Sequence, residues 1–136
     1  ALKPILEERM PRLGLNDEEA HFVANYLKMV YRNDDIPEDI FDGGPPSRAV
    51  IQEGRNLFFN RYGCQACHMT KGSGGFIGPS LDNAPSRLSS GWVFRWLQNP
   101  QAIKPGVREP NFGMPDTDAK ALTAYVLYHS TKGGVP

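Results

Sequence analysis

Cys64-Gln65-Ala66-Cys67-His68 sets two thiols three residues apart with an imidazole directly behind the second, and these are the only cysteines among 136 residues. Whatever the chain folds into must bring two sulfurs and a ring nitrogen to one short turn. Such a turn can serve as a redox disulfide, as half of a zinc site, as a short structural disulfide, or as a double thioether anchor whose histidine ligates a metal. The rest of the sequence bears on that choice. Gly 14 and Pro 12 make the chain rich in loops, short of the composition of disordered chains but high for one compact domain. An interior with so much loop needs an organiser besides helix packing.

Four segments read as helices. Residues 16–31 open on Asn16 as N-cap with Glu19 completing a capping box, and carry Ala20, Val23, Ala24 and Leu27 at helical spacing. Residues 47–62 start at Ser47, set Val50, Ile51, Gly54, Leu57 and Phe58 on one face, and stop at Gly63. Residues 90–98 form a short helix ended by Asn99-Pro100, and residues 117–130 a last one with Leu122, Tyr125 and Val126 turned inward. Between them, 33–46 (acidic, then Gly-Pro rich) reads as a linker, and 70–85 and 99–116 as loops. No strand-like alternation persists, so the expected class is all-α with long loops. The expected division is a helical extension and linker over 1–46 and a domain over 47–136.

Fifteen basic and fifteen acidic residues cancel. A neutral chain lacks the basic footprint of nucleic-acid binding or of a polybasic membrane surface. No apolar run reaches the roughly 18 residues of a transmembrane helix. No signal-peptide pattern opens the sequence, so an export signal is expected to be absent from this chain.

C-x-x-C-H is the spacing of covalent haem attachment. Each thiol can add to one vinyl group, and His68 is then delivered to one axial face of the iron. The other uses of the pattern lack support: no βαβ context suits a redox disulfide, and His21 and His129 are the only other histidines available to a zinc site. A structural disulfide remains possible in an oxidising compartment. An electron-transfer haem needs a sixth ligand, and methionine thioether raises the potential. Met69 follows His68 directly and cannot reach the opposite face; Met29 reads as core filler. Met114, in Asn111-Phe112-Gly113-Met114-Pro115, sits on a proline-bounded loop 46 residues after His68. Such a loop can wrap over the far face, so Met114 is the expected ligand ahead of Met10, His21 or His129.

From about Ser47 to Lys132 the sequence resembles a class I cytochrome c domain. The resemblance rests on Glu53-Gly54-x-x-x-Phe58, C-x-x-C-H at 64–68, Gly78-Pro79-x-Leu81, a Trp-bearing helix at 92–96, Met114-Pro115 and Leu122-x-x-Tyr125. It implies that the first and last helices cross with Gly54 letting Phe58 and Tyr125 approach. It implies that the Pro79 carbonyl accepts a hydrogen bond from His68 Nδ1, and that a tryptophan, Trp92 ahead of Trp96, donates to a haem propionate. Arg87 and Arg95 could pair with propionates, though solvated arginine is the commoner state. Phe112, Leu81, Ile77 and Leu88 are expected to line the haem pocket.

A weak internal repeat bears on the first 46 residues. Met10-Pro11 precedes a helix containing Ala20, Val23 and Tyr26; Met114-Pro115 precedes one containing Ala119, Leu122 and Tyr125, at a constant offset of 99 from the alanine onward. The N-terminal segment thus resembles the end of a second cytochrome c domain: part of a longer multi-haem protein, the remnant of a decayed domain, or an unrelated helix with a chance Met-Pro. Expected function follows the resemblance: one covalent haem c, iron held by His68 and Met114, and single electrons passed between redox partner proteins, without enzymatic turnover. A five-coordinate haem enzyme or gas sensor would need an open iron face, against which the Met114 loop argues. The alternative context is a cytochrome subunit or fragment of a membrane-bound respiratory oxidoreductase of nitric-oxide reductase or quinol-oxidising type, or a partnership with another cytochrome chain. Covalent haem attachment implies a periplasmic or otherwise exported location.

Overall fold

The computed structural model describes residues 13–31 and 33–129. The chain forms two compact units, Ala1–Asp35 and Ile36–Pro136. In the first, α1 (Asp17–Val30) starts at the expected capping box. The Asn16 side chain accepts from Glu19 N–H at 2.9 Å, and the Glu19 carboxylate accepts from Asn16 N–H at 2.9 Å. Asp17, Glu18 and Glu19 in the first turn and Lys28 in the last complement the helix dipole. None of its residues is buried. Met10-Pro11, which opens the repeat, lies outside the described residues.

The second unit contains α2 (Arg48–Asn56), which runs directly into a π-helical turn (Leu57–Arg61). A 3₁₀ turn (Cys64–Ala66), a hairpin of β1 (Met69–Thr70) and β2 (Ser73–Gly74), α3 (Ala84–Arg87), α4 (Ser90–Gln98), α5 (Pro100–Ile103) and α6 (Asp116–Tyr128) follow. Ser47 caps α2 and Ser89 caps α4 through their hydroxyls, and Gly63 ends the π turn with φ 63°. This is the all-α class expected. The sequence shows no strand because β1 and β2 have two residues each, too few for alternation to register. The four-residue helices α3 and α5 carry proline in their first turns, where its missing N–H is harmless, inside stretches that read as loop.

The crossing of α2 and α6 organises the core. A β-carbon at Gly54 would lie 1.9 Å from the Ala121 carbonyl oxygen and 2.8 Å from Tyr125 Cβ. Only glycine lets the helices come this close. Ile51, Leu57, Phe58, Met114, Ala119, Leu122 and Tyr125 are buried there, and the Phe58 and Tyr125 rings pack at 5.2 Å as the resemblance implies. The π turn inserts one residue into the helical register and sets adjacent Leu57 and Phe58 both inside. A second cluster, Ala84, Val93, Val126 and Leu127, fills the far side of α6 against α3 and α4.

Residues 36–46 depart from the linker expectation. The second compact unit begins at Ile36, ahead of residue 47, because this segment is strapped to α4 and α6. Ile40 N–H donates to Ser90 Oγ at 2.9 Å, and Ser90 Oγ donates to the Asp39 carboxylate. Asp39 also accepts from Gly43 N–H at 2.6 Å and Phe41 N–H at 3.1 Å. Phe41 then sets its ring edge-on to Tyr128 at 5.9 Å. Acidic and Gly-Pro composition reads as a spacer; here the same residues close a turn on themselves.

Two outcomes are expected. Gly54→Ala forces the crossing apart and costs about 1–3 kcal/mol, the range of overpacking, in denaturant unfolding, whereas Gly44→Ala, with nothing within 4 Å, costs a few tenths at most. The Ser90 hydroxyl, followed by the Gly43 and Phe41 amides, holds the Asp39 carboxyl below 3.8. A depressed folded value stabilises above 3.8 and loses its contribution as pH falls through the folded value. Acid titration therefore loosens the strap, read as faster exchange at Gly43 N–H, which donates to Asp39, and Ser90→Ala moves that onset to higher pH.

Candidate cofactor site

The π turn of the first core helix hands the chain straight to the motif. Ala66 N–H donates to Gly63 O at 2.9 Å and His68 N–H to Cys64 O at 2.9 Å, so Cys64 and His68 stand one turn apart. Gln65 is anchored by Nε2 donating to Phe59 O at 2.9 Å, and its own carbonyl accepts from Gly75 N–H at 2.8 Å. The loop behind the hairpin closes over the histidine, with Gly78 N–H donating to Cys67 O at 2.9 Å.

His68 is oriented from two directions. Its Nδ1–H donates to the Pro79 carbonyl at 2.8 Å, the bond the resemblance implies. A carbonyl can only accept, so Nδ1 carries the proton and Nε2 is the nitrogen left to ligate. Gly78 lies flat against the ring: a β-carbon there would come within 2.5 Å of Cε1 and 2.7 Å of Nδ1. The sequence offers no sign of the third neighbour, Glu109, whose Oε2 stands 3.3 Å from Nε2. It lies on the Met114 loop, and iron at Nε2 requires that carboxylate to turn aside.

Both cysteines are free and half-buried. Burial, then the Glu109 charge, pushes the Cys64 thiol up to about 11. At neutral pH it is therefore S–H. Among the described residues no group of three or more His, Cys, Asp and Glu side chains is placed to hold a metal ion. With two free thiols in the motif and one imidazole oriented through Nδ1, the donor set fits a haem anchored by sulfur and ligated by nitrogen.

Met114 is 7% exposed and joins the α2–α6 cluster, against which Cys64 and Leu81 also pack. The loop before it is fixed by Gly113 N–H donating to Asn111 Oδ1 at 2.9 Å. A second tie that the sequence does not signal links the motif to α6: Tyr62 O–H donates to Asp118 Oδ2 at 2.7 Å, and Arg61 pairs with the same oxygen at 3.4 Å. Asp118 is 56 positions from Tyr62, and nothing local marks it.

The other expected residues are less tightly gathered. Trp92 packs on the second cluster and stacks on Trp96 at 5.0 Å. Phe112 meets Tyr62 edge-on at 5.4 Å and remains partly exposed. Ile77 is 65% exposed, Leu88 is half-buried, and Arg87 and Arg95 are exposed. Met29, expected as core filler, is instead exposed on α1. His21 Nδ1 pairs with Asp17 O at 2.7 Å on the same helix, and His129 is buried with Nδ1 on the Tyr125 and Val126 carbonyls.

Gly78→Ala is expected to displace the imidazole. It should shift the visible spectrum and midpoint potential of the haem protein and cost about 1–3 kcal/mol, measured by potentiometry and denaturant unfolding.

No curated protein matches the chain. The model of one family, described as Cytochrome c, matches residues 51–130. That stretch begins on α2, passes through the C-x-x-C-H turn and Met114, and takes in all of α6. A match over more than half of the chain, coinciding with the crossed helices and the oriented histidine, decides the matter: this chain belongs to the cytochrome c family, which binds haem c covalently.

Proposed function

We propose that the chain is a monohaem c-type cytochrome that carries single electrons between redox partners, its iron held low-spin by His68 and Met114. The observation that carries this reading is the His68 ring, fixed by the Pro79 carbonyl and the flat Gly78 contact, which would present Nε2 to the iron once the Glu109 carboxylate turns aside. Cys64 and Cys67 would hold the haem through thioethers. Its iron, when bound, supplies a ferric–ferrous couple. Met114 supplies a soft sulfur from a buried position that the α2–α6 core holds in place. With His68 and Met114 both ligating, no open face would remain for dioxygen or peroxide, which favours a carrier over an enzyme.

Leu81, Ile77 and Phe112 would cover the haem, and Trp92 would serve a propionate from α4. Phe76, Ile77 and Phe112, all exposed, offer an apolar rim around the motif to a docking redox partner, at the small end of interface sizes. Covalent haem attachment supports a periplasmic or otherwise exported location. Among the described residues no helix is long and apolar enough to cross a membrane.

A second reading has its own observation. No residue of α1 is buried, and an uncovered apolar helix suits a piece of a larger assembly. That assembly would be a respiratory oxidoreductase of nitric-oxide reductase or quinol-oxidising type, or a multi-haem cytochrome in which residues 1–31 end a preceding domain.

Met114→Ala tests the ligand. The long-wavelength charge-transfer band of thioether–iron ligation should vanish from the oxidised spectrum while the haem stays attached, with a stability loss of about 2–5 kcal/mol. Met29→Ala should leave the band intact. An unchanged spectrum in Met114→Ala, or rapid carbon monoxide binding by the unmodified ferrous protein, would contradict the reading.

A further inference from the structure

Among the described residues of its own unit, nothing covers the apolar face of α1. Phe22, Val23, Tyr26, Leu27, Met29 and Val30 are between 41% and 81% exposed, although the helix is completed at its start by its own capping box. An amphipathic helix that keeps its apolar stripe in water marks an interaction surface.

The last helix of the same chain shows what covers such a stripe. α1 begins at Asp17 and α6 at Asp116, so the offset of 99 found in the sequence also sets the helix starts. Ala20, Val23 and Tyr26 stand where α6 has Ala119, Leu122 and Tyr125, all buried in the cluster shared with α2. The tightest contact there is made by the Ala121 carbonyl and Tyr125 Cβ over Gly54. α1 has the same tyrosine, while Phe22 stands at the position of Ala121. Charge follows the same register. Asp118 pairs with Arg61 and accepts from Tyr62, and α1 carries Glu19 at that position. The match is partial: Asn25 stands where α6 buries Ala124 in that same cluster, and Lys28 where it buries Leu127 in the second one. The positions that do match, Ala20, Val23 and Tyr26 with Glu19 beside them, correspond to residues of α6 that meet α2 and its π turn.

We infer that α1 closes a second cytochrome c-type domain by crossing a helix of α2 chemistry: glycine at the contact, an aromatic residue four positions on, and a basic or tyrosine side chain opposite Glu19. This rests on the multi-haem reading given above and names the surface that reading requires. A second copy of the chain does not provide the occupant, because the glycine face of its α2 is already covered by its own α6. Pairing of two α1 helices does not suffice either. Fourteen residues give a strip about 21 Å long, and two such strips fall short of the roughly 1,000 Å² that a stable association clears. The order in which α2 precedes α6 favours a crossing helix on the same polypeptide, ahead of α1, over one supplied by another cytochrome chain.

The test compares the polypeptide isolated intact from its native source with the 136-residue chain produced alone. Covalent haems are counted by intact mass, and amide hydrogen exchange is followed over 17–30. Two haems per native polypeptide are expected, with α1 exchange slowed at least 100-fold relative to the chain alone. Tyr26→Asp in the native polypeptide should abolish that protection while leaving the His68 haem spectrum unchanged. One haem per polypeptide overturns the multi-haem reading and this inference with it. Two haems with α1 exchanging as freely as in the chain alone, or with protection that survives Tyr26→Asp, overturn the inference and leave the multi-haem reading standing. Slow α1 exchange already present in the 136-residue chain overturns it as well, placing the cover within this chain or its own copies.

Discussion

The contact of Gly54 with the Ala121 carbonyl fixes the geometry on which everything else depends. Because no β-carbon intervenes, α2 and α6 cross closely enough for Phe58 and Tyr125 to interlock and for Leu57 and Leu122 to lose their water. The crossing also places two chain ends. The π turn that continues α2 delivers the cysteine–histidine turn, and the residue pair that starts α6 delivers Met114. Tyr62 and Arg61 on one side and Asp118 on the other tie those ends together. A motif contained in five consecutive residues and a methionine 46 residues away are thereby referred to one rigid frame.

Around that frame the site is built mainly from backbone. A carbonyl at Pro79 sets the tautomer of His68, a glycine amide at 78 ties the loop to Cys67, and the absent side chain at 78 lets the ring lie flat. Backbone dipoles held by a hairpin and a short loop do not rearrange when charge changes, which suits a centre proposed to gain and lose one electron with little motion. Glu109 is the exception. Its carboxylate meets the nitrogen proposed to ligate and adds to burial in raising the Cys64 thiol, so the loop that bears Met114 also carries a charge that would have to move with iron in place.

What could be read in the sequence was local or periodic. The capping box at Asn16 and Glu19, the Ser47 cap, the Gly63 stop and the motif itself are short-range patterns with a mechanism, and each has its counterpart in the structure. The Gly54 crossing and the His68–Pro79 bond came from resemblance to a family, because no single-chain pattern specifies a contact between positions 54 and 121. The interactions that escaped are long-range and polar. Asp39 with Ser90, Tyr62 with Asp118 and Glu109 with His68 join residues between 41 and 56 positions apart, and each partner looks locally like an ordinary solvated side chain. The linker expectation for 33–46 missed the straps of Asp39 and Phe41 for the same reason: Gly-Pro composition describes a turn-rich path but says nothing of what the path is strapped to.

The central claim is that a single haem is bound to this polypeptide through Cys64 and Cys67. Proteolysis of the haem protein after acid–acetone treatment, followed by mass mapping, tests it directly. The account predicts that colour stays with the polypeptide and that one haem mass is found on the peptide spanning residues 64–68. Extraction of the colour into the solvent, or a 64–68 peptide with bare or disulfide-linked cysteines, would contradict it.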